Sequence, residues 1–195
     1  MGQAGTAEAA VRYLRATGVH PAEPLPRPRL RCVGDDERAP VDRQEFRRVL
    51  GHFATGVTVI TAPAADGPAG FACQSFSSLS LDPLLVAFMV GRTSTTWPRI
   101  ARAGVFCVNV LSAGQGELCR GFAVSGGDKF AGVAYDTAPV SGSPRLAGTL
   151  AWVDCTIHAV HTGGDHLIVV GRVATLGTGD NEDGAPLLFH KGRFL

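Results

Sequence analysis

The chain of 195 residues is 45% hydrophobic and 18% charged, with 18 basic and 17 acidic residues and a formal net charge of +1. That mix supports one globular domain with a sizeable core and excludes a disordered polyelectrolyte. It provides no field to hold a polyanion, so neither nucleic acid nor an anionic membrane surface is expected as a partner.

Residues 1–40 stand apart from the rest. Met1–Ala10 has no basic stretch leading into an apolar one, so no secretory signal is expected. Val11–Ala16 has room for a turn or two of helix, after which Pro21, Pro24, Pro26 and Pro28 punctuate a polar stretch. This part reads as a flexible extension, with the domain running from residue 41 to 195. Asp42 and Glu45 then have the spacing of a capping box, and Phe46, Val49, Leu50 and Phe53 form one apolar helix face at i, i+3, i+4 and i+7. Gly51 weakens the last turn and Gly56 ends it. Val57–Thr61 is a β-branched strand, and a turn at Asp66-Gly67 leads into a hairpin partner at Gly70-Phe71-Ala72.

Cys73–Ser80 interleaves Gln74, Ser75, Ser77, Ser78 and Ser80 with Phe76 and Leu79. Leu84–Val90 follows as a buried strand; at seven residues it falls well short of the roughly 20 a membrane span needs. A helix over Trp97–Ala103 has Pro98 in its first turn and Gly104 in the C-cap place. Val105–Leu111 is a strand, Gly114–Phe122 a short helix, and Leu150–Val160 and Leu167–Leu176 are long strands joined through His161–His166. Leu187-Leu188-Phe189 is a last short strand. Six or so strands, two or three short helices and no βαβ alternation point to a mainly β fold, an antiparallel barrel. The five cysteines (Cys32, Cys73, Cys107, Cys119, Cys155) contain no C-x-x-C pair and read as small buried hydrophobes of a reducing cytoplasm.

Arg92-Thr93-Ser94-Thr95-Thr96 sets four hydroxyls and a guanidinium before a helix start, where free N–H groups favour an anion such as a phosphate monoester. One capping threonine in a solvated loop fits the same residues, and both readings stay open. Asp128-Lys129-Phe130, after Ser125-Gly126-Gly127, is a second polar loop with a cation, or a turn with a surface lysine. His158 and His161 point to opposite faces of a strand and cannot easily share an ion, so no metal site is expected. No G-x-S-x-G elbow and no base–acid pair supports nucleophilic catalysis, and no G-x-G-x-x-G fingerprint marks a Rossmann unit.

Taken together, FRRVLGHFATGVTVIT, GFACQSFSSLSLDP, VNVL, GDKFAGV, GGDH and PLLFHKGRF resemble, in order, the short-chain flavin reductase family, from about Asp42 to Leu195. The resemblance implies a Greek-key-like split β-barrel of the FMN-binding type with a few short helices, paired as a homodimer. It implies an NAD(P)H-dependent enzyme that reduces free FMN or FAD by hydride transfer and serves a two-component monooxygenase by diffusing reduced flavin. NADH, or NADPH in its place, would be the donor. Ala72, Cys73, Gln74, Ser75, Phe76 and Ser77 match the segment lining the isoalloxazine ring, their amides and hydroxyls reaching its pyrimidine side. Arg92 to Thr96 (Arg92, Thr93, Ser94, Thr95, Thr96) match the phosphate-holding segment, and Asn109, Asp128, Lys129 and Phe130 further flavin contacts. His166 matches a histidine near the nicotinamide, cast as an orienting hydrogen-bond donor. Phe189 to Arg193 match a segment bordering the site, partly from the other subunit. Leu84 and His190 depart from the commonest pattern, where a second proline and an aromatic residue are usual. A flavin carrier, or a flavoprotein oxidase that keeps its flavin, is the alternative within the same fold.

Overall fold

A computed structural model describes residues 41–195; residues 1–40, with the Val11–Ala16 segment and Cys32, lie outside the described part. In chain order its elements are α1 (Arg43–Leu50), β1 (Thr55–Gly56), β2 (Thr58–Ala64), β3 (Gly67–Cys73), β4 (Ser77–Leu81), β5 (Leu84–Gly91), α2 (Trp97–Ala103) and β6 (Val105–Val110). A 3-10 turn (Ala113–Gln115), α3 (Gly116–Ala123), β7 (Tyr135–Thr137), β8 (Pro144–Leu146), β9 (Ala151–Gly163), β10 (His166–Thr178), β11 (Leu188–His190) and β12 (Arg193–Phe194) complete it. Seven strands make one sheet in the order β3-β2-β6-β9-β10-β5-β4, every pairing antiparallel. β1, β11 and β12 form a small second sheet, and β7 pairs with β8. The hairpins β2–β3, β4–β5 and β9–β10 alternate with long connections through α2 and α3, so the mainly β architecture expected from the strand pattern is the one observed.

The large sheet curls until β3 approaches β5, yet no ladder joins its edge strands β3 and β4. The barrel is therefore split. Ser75 stitches the gap: its hydroxyl accepts from Met89 N and donates to Met89 O, both at 2.9 Å, and so stands in for a missing strand neighbour. Inside the curl, Phe88 packs edge-on against Phe106 (centroids 5.2 Å apart) and Trp97 (6.2 Å). Gly171 on β10 makes this possible, since a Cβ there would lie 2.3 Å from Phe106 Cζ. A second core, around Val59, Leu111, Phe122, Leu146 and Leu187, holds α3 and the C-terminal strands on the other side of β2.

Several local expectations need correction. β5 is not buried throughout: Val86, Phe88 and Val90 face the core while Leu85, Ala87 and Met89 lie on the other, less covered face, the two-residue period of a strand with one covered face, and Leu84 is exposed at the strand's start. The β9–β10 hairpin runs on through His161 and Thr162, leaving only Gly164-Asp165 as its turn. Asp42 does cap α1, accepting from Gln44 N at 2.6 Å, but Glu45 pairs with Arg48 at 2.6 Å instead of completing a capping box. The capping box that does form is Ser112 with Gln115, at the 3-10 turn. The apolar face of α1 stays outside the core, with Phe46 58% exposed and Phe53, just past the helix, 76% exposed. Among the described residues no helix is long and apolar enough to cross a membrane.

Candidate functional site

Two concavities lie at opposite ends of β3. The larger, of about 1320 Å³, is walled by α1 and the β11–β12 hairpin and floored by the β3–β4 and β9–β10 turns. Phe46, Leu50, Phe53, Met89 and Phe189 give it apolar walls, and Gln74, Ser75 and His166 add polar groups. The smaller, of about 650 Å³, lies between the β2–β3 turn, Thr95-Thr96 and the Gly126–Phe130 loop. Gly70 lines the second and Gln74 the first; four residues of strand separate them by about 13 Å.

Each predicted residue has a definite place. Gln74, Ser75, His166 and Phe189 line the larger cleft, and Thr95, Thr96, Asp128, Lys129 and Phe130 the smaller. Arg92, Thr93 and Ser94 are in neither lining: Arg92 N donates to Asp165 O at 3.0 Å, beside His166, while Ser94 Oγ accepts from Trp97 N at 3.2 Å. Ser94 rather than Thr96 is thus the side chain that satisfies the start of α2, and Thr96 makes no capping bond. Cys73 is 5% exposed, with its sulfur 3.3 Å from Ser75 Oγ, and burial pushes its thiol pKa up. It is a packed, unreactive neighbour of the site. Ala72 and Phe76 pack partly into the two cores, and the Ser77 hydroxyl donates to Ser78 O at 2.9 Å.

Asn109 is set apart from both clefts. Its side chain is 0% exposed; the amide donates to Val59 O (3.2 Å) and Thr61 Oγ1 (3.1 Å), while its oxygen accepts from Leu146 N at 2.8 Å. Those bonds pin β8 to β2 and β6, and they consume the polar groups that a ligand would need.

The smaller cleft is built for an anion. Lys129 Nζ donates to Phe122 O (3.0 Å) and Gly70 O (3.4 Å), with no carboxylate partner among the described residues. Its partial burial pulls the ammonium below its ordinary pKa. An arriving phosphate would relieve that penalty, and Thr95 and Thr96 present hydroxyls to the same space. Gly126 and Gly127, with φ of 84° and 71°, turn the loop in a way that side-chain-bearing residues seldom manage. The nearby cation Arg99 is already held by Asp66 Oδ1 at 2.8 Å, which keeps that carboxyl below its usual range. In the larger cleft His166 Nδ1 lies 2.8 Å from Asp165 Oδ1, the contact that lowers the Asp165 pKa and fixes the ring. Thr55 Oγ1, on the same lining, is a buried hydroxyl with no partner among the described residues. Broad apolar walls with polar atoms at one edge could hold a flat aromatic ligand, and the lysine near the other end of β3 could hold an anion.

The C-terminal turn, Lys191 and Gly192, lies where the resemblance to Phe189–Arg193 put it; the lining residues not anticipated are Arg47 and Leu50 of α1, His52 and Phe53 just beyond it, and Met89 on β5. The amphipathic pattern of α1 was legible; that it faces a cleft instead of the core was not. The profile of the family described as "Flavin reductase like domain" matches residues 50–195. The reductase subunit HsaB of a flavin-dependent monooxygenase from Rhodococcus jostii is 47% identical over 154 residues, 79% of this chain and 77% of that protein. Nitrilotriacetate monooxygenase component B from Mycobacterium thermoresistibile superposes with a TM-score of 0.76 at 46% identity, covering 79% of this chain and 86% of its own. The NADH:FAD oxidoreductase SgcE6 of Streptomyces globisporus, in complex with NAD and FAD fragments, gives 0.75 at 38% identity over 85% and 96% of the two chains. With its matching profile and these relatives, the chain belongs to the flavin reductase-like family.

Proposed function

We propose that the protein is an NADH-dependent flavin reductase that takes free FMN or FAD as a substrate and releases it reduced for a partner monooxygenase. The observation that carries this reading is the pair of clefts joined by β3, one apolar and broad, the other holding Lys129 without a counter-ion. The family match and the relatives, a monooxygenase reductase subunit and an NADH:FAD oxidoreductase, support the same reaction.

When both are bound, hydride passes from nicotinamide C4 to flavin N5, so the cofactors carry the hard chemistry. The chain supplies position and polarity. Leu50, Phe53 and Phe189 exclude water from the apolar walls. The exposed Gln74 amide meets the polar edge of the flavin ring, and Lys129 with Thr95 and Thr96 holds its phosphate. His166, steadied by Asp165 Oδ1 2.8 Å from its Nδ1, is the hydrogen-bond donor that orients the nicotinamide. Holding two rings face to face supplies most of the acceleration, and no general base is needed.

The apolar face of α1 supports a homodimer in which a second copy covers Phe46, Val49, Leu50 and Phe53. The four described cysteines are all free and buried, which supports a reducing, cytoplasmic location. The test is NADH oxidation followed by loss of nicotinamide absorbance with and without added flavin. Turnover that saturates with flavin supports the reductase. Protein that stays yellow through dialysis and oxidises no NADH would point to the carrier.

A further inference from the structure

Lys191 is the only non-glycine residue with positive φ among the described residues, at 49°, followed by Gly192 at 81°. The pair makes the turn of the β11–β12 hairpin, a two-residue turn with positive φ at both positions. Asparagine or glycine adopts the first of these positions readily; a lysine does not. Such an outlier, where it persists, is a pointer to function. The turn is also tied to a second cation. Lys191 N donates to Gly51 O at 3.0 Å, and Gly51 N donates in turn to Arg47 O at 2.9 Å, so hairpin and helix end are linked through one residue.

Both Lys191 and Arg47 line the larger cleft, whose lining contains no carboxylate. Neither makes an ion pair among the described residues, whereas neighbouring Arg48 is neutralised by Glu45. Two cations unpaired among the described residues therefore rim an apolar cleft separate from the one lined by Lys129, which already provides for the flavin phosphate. They are left for the phosphates of a second ligand.

We infer that Lys191 and Arg47 form a two-cation clamp for the pyrophosphate of the reduced nicotinamide dinucleotide, setting its affinity and not the rate of hydride transfer. This rests on the reading of the larger cleft as the place where dinucleotide meets flavin. The backbone bond from Lys191 to Gly51, which itself bonds to Arg47 O, ties the turn to the end of the helix that carries Arg47.

The decisive variant is Lys191→Asn, because asparagine suits the turn and removes only the charge. The melting temperature should not fall, KM for NADH should rise about tenfold, and kcat should stay within about twofold. Arg47→Gln should move KM in the same direction, and the rise of wild-type KM with salt should flatten in both. With 1-benzyl-1,4-dihydronicotinamide, a donor without phosphate, variant and wild type should differ by less than about twofold. An unchanged KM for NADH, or an equal loss with the phosphate-free donor, overturns the clamp. If neither donor reduces flavin, the reductase reading falls by itself. Calorimetry with ADP-ribose then decides the clamp: weaker binding to Lys191→Asn upholds it and equal binding overturns it.

Discussion

Replacing Asn109 by leucine, nearly the same size, separates two roles for this buried amide: holding the fold together or touching flavin. The change leaves Leu146 N–H without its 2.8 Å acceptor inside the second core, and removes the donors to Val59 O and Thr61 Oγ1. A buried N–H left unpaired costs about 1–3 kcal/mol, and each lost neutral bond about 0.5–1.5 kcal/mol. Burial of the leucine side chain returns part of this, so the net loss is about 2–4 kcal/mol. For a domain of this size that lowers the melting temperature by about 4–16 °C. The assay pairs thermal unfolding, followed by circular dichroism, with a flavin titration well below the transition. The titration should show FMN and FAD binding within about threefold of wild type, because the amide reaches neither cleft. An unaltered melting temperature together with a tenfold loss of flavin affinity would refute this account and make Asn109 a flavin contact.

Lys129→Met should weaken FMN and FAD while sparing riboflavin, by about tenfold if one charged phosphate contact is lost. The pH dependence has a definite sign. Burial lowers the Lys129 pKa in the fold, so its charge is complete below that lowered value and is lost before the ordinary 10.5 is reached. FMN affinity should therefore fall as pH rises toward 10.5, and the methionine variant should lose that dependence; an identical pH profile in both would remove Lys129 from the site. Gly171→Ala drives a methyl to within 2.3 Å of Phe106 Cζ and should destabilise the protein by about 1–3 kcal/mol in urea unfolding, leaving flavin binding unchanged. Phe53→Glu puts a charge on the exposed face of α1 and should raise the dimer dissociation constant at least about thirtyfold, read by light scattering. A dimer of unaltered affinity would show that α1 does not lie in the interface.

Local physics determined much of this protein from its residues alone. The β-branched run at Val57–Thr61, the Asp66-Gly67 turn, and Pro98 with Gly104 around α2 specify strand, hairpin and helix ends through backbone geometry that acts over a few residues. The order of motif blocks carried the family, and with it the two loops around Gln74 and Lys129 that line the clefts. Tertiary structure decided what those local signals leave open, namely which face of an element meets which neighbour. Nothing in the i, i+3, i+4, i+7 pattern of α1 says whether Phe46 and Phe53 turn to the core or to a cleft, since the periodicity is the same. Nor does a lone Asn109 on a strand announce that Leu146, in a strand nearly forty residues on, will take its oxygen. The lack of an ion pair at Lys191 and Arg47 among the described residues is likewise a property of the assembled cleft, whose described lining holds no carboxylate. Pairing across long sequence separations is set by the packing of the whole sheet, and there the site acquires its shape and its charge.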